Sequence, residues 1–253
     1  MRRAGYLLVR SPSNPAHFWG NFLVFDEPPG DGDGERWEAL FEREFGDEPR
    51  VRHRAFTWDR IDGVAGRARE EFVARGYVLD DSIGLVAERR GLRQHPRANR
   101  EVVVRALDPD GDSELWSAVT ELQVEGRDAG HDEADYRAFS LARLRDRRAH
   151  FRAGRGAWYV ALEPATGELA ASCGIVVVQG RGRFQVVETA APYRRQGIAS
   201  RLLVDATDHA ARAYGAERFV IVADVSYHAL ALYESLGFVR AERVIGVLRR
   251  PHG

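Results

Sequence analysis

Cysteine occurs once in the 253 residues, so an internal disulfide is excluded and a reducing compartment is expected. That residue, Cys173, lies in an apolar run and is expected to be packed rather than reactive. Lysine is absent: every basic residue is an arginine, which reads as a trait of genome composition rather than of function. No apolar run approaches the ~18 residues of a membrane span. The N-terminus lacks the apolar region of a signal peptide, so a cytoplasmic location is expected. The eight histidines show no ligand spacing, so no metal is expected. A formal charge of −1, with arginines and carboxylates balanced in the first hundred residues, argues against nucleic acid as a partner.

What remains is a globular composition, 44% hydrophobic and 30% charged. In the first part, residues 6–10, 18–25 and 54–59 read as strands. Trp37, Leu40, Phe41 and Phe45 share one helix face, and residues 66–75 read as a second helix around Phe72. Residues 91–100 read as a linker. A strand over 101–107 follows, with Ser113 placed to cap a helix carrying Leu115, Trp116, Val119 and Leu122. A further helix over about 134–151 and strands at 157–163 and 169–179 lead to the stretch that carries the chemistry. His17, Trp19, Asn21, Trp58 and Asp59 could line an acceptor pocket, or be ordinary core and loop residues; His209 and His228 are expected on helix surfaces.

That stretch runs from Phe184 to Leu203. Phe184 to Thr189 reads as a buried strand, stopped before Pro192. A helix starts near Gly197, with Leu202, Leu203, Ala206, Ala210 and Ala213 at helical spacing and Gly215 as terminator. Between them lies Arg194-x-x-Gly197-x-Ala199. Small residues at the last two positions let a ligand approach the backbone. Unpartnered N–H groups and the helix dipole make such a turn suited to a pyrophosphate, and Arg194 and Arg195 add positive charge.

This turn resembles the Arg/Gln-x-x-Gly-x-Gly/Ala signature of the Gcn5-related N-acetyltransferase (GNAT) superfamily. A second family signature is matched by Ser226-x-x-Ala229-x-x-Leu232-Tyr233-x-x-Leu236-Gly237-Phe238, except that the family usually has Asn where this chain has Ser226. The two motifs cover roughly residues 184–240, and the order of elements matches over 100–250. The resemblance implies an α/β (α+β) fold, a mixed central sheet flanked by helices. It implies acetyl-CoA as cosubstrate, with Thr189, Ala190, Ala191, Arg194, Arg195, Gln196, Gly197, Ile198, Ala199, Ser200 and Ser226 as its binding positions. A bulge in the central strand would free backbone near Thr189 to Ala191 for the acyl arm. The implied activity is N-acetyltransfer to a primary amine of a small molecule or a protein; a non-catalytic acyl-CoA-binding or sensing protein is the alternative.

An amine of pKa near 10 must lose a proton before attacking a thioester, and the departing thiolate must gain one. Tyr233 sits where the family places the acid. Glu188, on the central strand, and Asp224, at the end of the next, are both base candidates.

The first hundred residues echo the last seventy. Residues 72–92 and 232–250 both run helix, Gly-aromatic, then a strand ending in arginines. The expected organisation is a degenerate GNAT-like domain over 1–98, whose Asp-rich loop would repel a pyrophosphate, followed by an N-acetyltransferase domain over 100–253.

Overall fold

The computed structural model describes residues 1–127, 131–226 and 229–251. The chain forms two compact units, and neither is a single stretch of sequence. The first comprises Met1–Gly84, Ala223–Ser226 and Ala241–Gly253, and the second Leu85–Val222 and Tyr227–Arg240.

The first unit begins with β1 (Arg2–Arg3), β2 (Tyr6–Val9) and β3 (Phe22–Phe25), joined antiparallel. Helix α1 (Asp33–Phe45) then crosses over to β4 (Arg54–Trp58), which runs parallel to β3. The short helix α2 (Ala68–Glu71) precedes β5 (Val78–Glu88), a strand that passes into the second unit after Gly84. Residues 18–20, expected in the second strand, form a 3-10 turn instead. Asn21 holds that turn by donating to the carbonyls of Asn14, Pro15 and His17, a use of its amide that a strand would not allow. Residues 66–75 likewise form two short helical turns rather than one helix. The core of this unit is aromatic: Trp37 stacks on Phe25 with ring centroids 3.7 Å apart, and Phe41, Phe56, Phe72 and Tyr77 pack around them.

One detail of this unit bears on ligand binding. Helix α1 starts from Gly32, whose φ of 77° is in the left-handed region that suits glycine. The N–H groups of Gly32 and Gly34 donate to the two carboxylate oxygens of Glu71, at 3.1 and 3.0 Å. These bonds hold the Glu71 carboxyl below its ordinary range. The anion site at the start of α1 is therefore filled by the protein itself.

The second unit opens with β6 (Val103–Ala106), α3 (Ser113–Glu125) and α4 (Glu133–Arg152). Ser113 is inside α3, not its cap. The capping position belongs to Asp112, and its carboxylate is taken by Arg105 at 2.7 and 2.8 Å and by the Asp108 N–H. Asp132 caps α4 by accepting from the Asp135 N–H. Strands β7 (Gly156–Leu162), β8 (Leu169–Val178) and β9 (Arg181–Thr189) follow, antiparallel to one another, with β6 on the outer side of β7. Helix α5 (Ile198–Tyr214) crosses over to β10 (Arg218–Asp224), parallel to β9. Helix α6 (Ala229–Leu236) leads to β11 (Val239–Arg249). From Ala241 onward β11 belongs to the first unit, where it lies antiparallel against β4.

Each unit thus carries an antiparallel pair of strands followed by a parallel crossover through a helix that starts from a left-handed glycine. Trp116, Val119, Leu144, Phe151, Trp158 and Val160 form the core between α3, α4 and one face of the second unit's sheet. Cys173 is fully buried and points into packed surroundings that push its thiol pKa up. Among the described residues, no helix is long and apolar enough to cross a membrane.

Candidate active site

Strand β9 is interrupted in its middle. Gln185 lies opposite Gly174 and Glu188 opposite Ser172, so Cys173 faces both Val186 and Val187. This is a one-residue bulge. Val186 has φ of 27°, a conformation that a β-branched residue rarely adopts. On its other side β9 pairs with β10 only at its start, where Arg181, Gly182 and Arg183 meet Arg218, Phe219 and Val220. Past those pairs both strands continue unpaired with each other among the described residues. Where that pairing ends, β9 no longer spends its outward main-chain groups on β10, and backbone of that kind can bond an extended amide-bearing ligand.

Beyond β9 a 3-10 turn over Ala191–Tyr193 brings the chain to Arg195 and Gly197, with φ of 63° and 73°. Residues with alternating backbone handedness point successive N–H groups to one side and form an anion-binding concavity. Gln196 ties the turn by donating to the Pro192 carbonyl at 3.0 Å. Arg194 folds back onto the strand end, Nε to the Thr189 carbonyl at 3.1 Å, while the Arg195 side chain stays exposed. Ile198 and Ser200 are buried with their side chains packed inward, so they offer a ligand their backbone only. Gly197 is required for a second reason. A Cβ there would stand 2.0 Å from the Arg97 carbonyl oxygen, since Asn99 docks on the turn through N–H to the Gly197 carbonyl and Nδ2 to the Gln196 carbonyl.

Glu188 follows the bulge. Its Oε1 lies against Gly126, 3.0 Å from where a Cβ would be, and its Oε2 is sealed from solvent without a hydrogen-bond partner. Burial pushes its pKa up to about 7, against the opposing pull of Arg143 and Arg194. Tyr233 on α6 is buried, with its ring 6.3 Å from Phe238, which in turn lies 6.1 Å from Phe184 of β9. Glu188 and the turn residues 189–200 thus follow one another along and after β9, while Tyr233 packs, through Phe238, towards Phe184 earlier in the same strand. Ser226 is exposed, and both its N–H and its hydroxyl donate to Oδ1 of Asp224, which makes Asp224 a turn-forming carboxylate.

On α3, α4 and β8 lie polar groups that did not stand out in the sequence, of which Arg143 acts on the Glu188 carboxyl and Ser172 pairs with it across the sheet. Gln123 on α3 is fully buried with Nε2 unpartnered, and Ser140 on α4 is fully buried with Oγ unpartnered. Arg143 donates to Gln123 Oε1 at 2.7 Å and stacks its guanidinium 4.4 Å from the centre of the Phe139 ring, yet its Nε has no acceptor. The Nε of Arg147, one turn on, is likewise sealed and unpartnered. Desolvation lowers both guanidinium pKa values. Ser172, opposite Glu188 on β8, is also buried with its hydroxyl unpartnered. The spacing 140, 143, 147 is one helix face, and it was legible; what hid it is that arginines on a helix ordinarily mark the solvated side.

Of the other candidates, Trp19 donates Nε1 to Asp80 at 3.0 Å, Trp58 is core and donates to the Val64 carbonyl, and Asp59 is exposed. His209 is not a free surface residue: its Nδ1 meets the Tyr159 hydroxyl at 3.1 Å. His228 lies outside the described residues.

Residues 116–238 match the family model described as Acetyltransferase (GNAT) family. Among solved structures, a conserved protein of unknown function from Staphylococcus epidermidis superposes with a TM-score of 0.77 at 13% identity, covering 100% of this chain and 93% of the other. A GCN5-related N-acetyltransferase from Kribbella flavida gives 0.62 at 16% identity, covering 100% and 90%. A tandem GNAT protein from the clavulanic acid biosynthesis pathway gives 0.57 at 15% identity, covering 92% and 76%. At such identities the likeness is one of fold. No protein of curated function matches the sequence.

Proposed function

Because residues 116–238 form a domain of the acetyltransferase (GNAT) family, with the mixed sheet and flanking helices of that fold, we propose that the protein transfers an acetyl group from acetyl-CoA to a primary amine. The observation that carries this reading is the bulge at Val186 followed by the separation of β9 from β10. A strained valine at a bulge where the pairing of two strands ends is accounted for if the bulge makes room for a ligand between them.

The residues present fit acetyl-CoA. The N–H groups of the turn and of the first turn of α5, with the exposed Arg195 beside them, suit a pyrophosphate. The unpaired backbone of β9 through Thr189 suits the amides of the acyl arm. When bound, the thioester supplies an acetyl group activated towards an amine. Glu188, titrating near 7, is half ionised at neutral pH and can accept the amine's proton. Backbone N–H groups freed at the bulge can hold a developing oxyanion. The Tyr233 hydroxyl can return a proton to the leaving thiolate. Glu188 is preferred over Asp224 because the latter is engaged by Ser226.

The first unit is proposed to be a degenerate copy that binds no CoA. Support comes from Glu71, which occupies the helix start corresponding to the pyrophosphate turn, and from the tandem GNAT likeness. A binding protein without chemistry is the second reading, favoured by Ser226 being tied to Asp224 rather than free for a ligand. Thiol release from acetyl-CoA with a panel of amines, together with calorimetry, tests all of this. Acetyl-CoA binding with one equivalent per chain and amine-dependent thiol release are expected. Binding without release for any amine would favour the second reading, and no binding would refute both.

A further inference from the structure

Taking Glu188 as the base, we propose that the acceptor is an amine that also carries an oxyanion, a carboxylate or a phosphate, held by Arg143 and Arg147 on α4 with Gln123 and Ser140. The argument begins with a mismatch. The face of α4 turned towards the sheet interleaves Leu144 and Phe151 with Ser140, Arg143 and Arg147. Apolar residues would pack there at no penalty, whereas a sealed donor without an acceptor is destabilising. Gln123 Nε2, Ser140 Oγ, Arg143 Nε and Arg147 Nε are all in that condition.

The unpartnered groups are unbalanced in kind. Gln123 Nε2, Arg143 Nε and Arg147 Nε can only donate, the hydroxyls of Ser140 and Ser172 can do either, and Glu188 Oε2 on β9 is the carboxylate oxygen among them. The complementary ligand presents several acceptors to the helices and one N–H donor to the strand, which describes an amine linked to an oxyanion. Guanidinium groups suit carboxylate and phosphate because their planar donors match both geometries.

Glu188 does not itself serve as the missing anion. No ion pair joins it to Arg143, and Arg143 spends its Nη2 on a neutral amide. A carboxylate locked to a guanidinium would titrate below its ordinary value, and this one titrates above it. Arg147 feels the like charges of Arg143 and Arg183, which an incoming anion would relieve.

The test uses the full chain and matched acceptors: β-alanine against β-alaninamide, 4-aminobutyrate against its amide, and phosphoethanolamine against ethanolamine. With saturating acetyl-CoA, thiol release should favour the anionic member of at least one pair by about ten-fold or more in kcat/KM, mainly through KM. Arg143→Gln should bring that ratio close to one, and Arg143→Lys should restore part of it. Without acetyl-CoA, the same anionic amine should raise the melting temperature of the wild type more than its neutral partner does, and Arg143→Gln should erase the difference. Arg147→Gln, half-buried and outside the apolar core, repeats the measurement should Arg143→Gln fail to fold.

Equal or better turnover of the neutral members overturns the inference while leaving acetyl transfer intact. Loss of both members alike in Arg143→Gln, with a lowered melting temperature, assigns Arg143 to packing and overturns it too. An Arg143-dependent melting shift without any thiol release would support the anion site and sink the catalytic reading. Neither turnover nor a shift with any pair counts against the anion site.

Discussion

Replacing Glu188 by Gln removes one ionisation and leaves the side chain's size nearly unchanged. In the folded protein the carboxyl titrates at about 7, and its reference value is 4.5. The cause is burial, since Oε2 is sealed from solvent and receives no hydrogen bond from the protein. A raised carboxyl pKa means that the folded state binds more protons than the unfolded state between about 4.5 and about 7, so stability falls as pH rises through that window. A shift of about 2.5 units at 1.36 kcal/mol each sets a ceiling of about 3 kcal/mol on the loss, complete above pH ~7.5. Glu188→Gln escapes that loss. Its melting temperature should therefore pull ahead of the wild type between about pH 5 and about pH 8, by at most roughly 6–12 °C at 2–4 °C per kcal/mol for a chain of this size. Scanning calorimetry of the ligand-free protein across that range measures it. In parallel, wild-type kcat/KM should rise with pH with its midpoint near 7 and level off about one unit above it, while the variant should be slow and lack that inflection. A melting-temperature gap that does not change with pH would refute the buried carboxylate; a growing gap with undiminished activity would show a strained acid that is not the base.

Arg195→Glu places a carboxylate beside the pyrophosphate turn and should weaken acetyl-CoA binding by about ten- to a hundred-fold, read by calorimetry, with stoichiometry remaining at most one per chain. Gly197→Ala should lower the melting temperature as well as the affinity, because the added methyl meets the Arg97 carbonyl and φ stays positive; an unchanged melting temperature would show that the segment around Asn99 is not docked. Tyr233→Phe keeps the ring against Phe238 and should reduce kcat and kcat/KM together by roughly 10²–10⁴ with little change in acetyl-CoA affinity. Near-normal turnover would make that tyrosine a packing residue.

Much of the second unit could be read from residues 184–240. Gly197 and Ala199 after an apolar strand mark the turn, and the spacing of Leu202, Leu203, Ala206 and Ala210 marks α5. The bulge was expected only through family likeness, because Val186 and Val187 look locally like any buried strand; their register is set by Gly174 and Ser172, which are distant in sequence. The polar face of α4 was hidden by its arginines. Residues 18–20 carry strand-forming aromatics, but the Asn21 amide gathers three carbonyls and bends them into a turn. Gly197 looked like an opening for a ligand, and its contact with the chain around Arg97 depends on a segment with no motif of its own.

The final strand gives the first unit an unusual order of assembly. Thr57 donates its hydroxyl to the Ile245 carbonyl, 188 positions away, and β4 lies against β11 along its length. At translation speeds of about 5–20 residues per second, β4 waits roughly ten to forty seconds for its neighbour. Its main-chain groups are meanwhile an open template for another nascent chain. Premature termination or a stalled ribosome anywhere before residue 241 would thus damage the beginning of the protein rather than its end, leaving aggregation-prone fragments from the half that was made first.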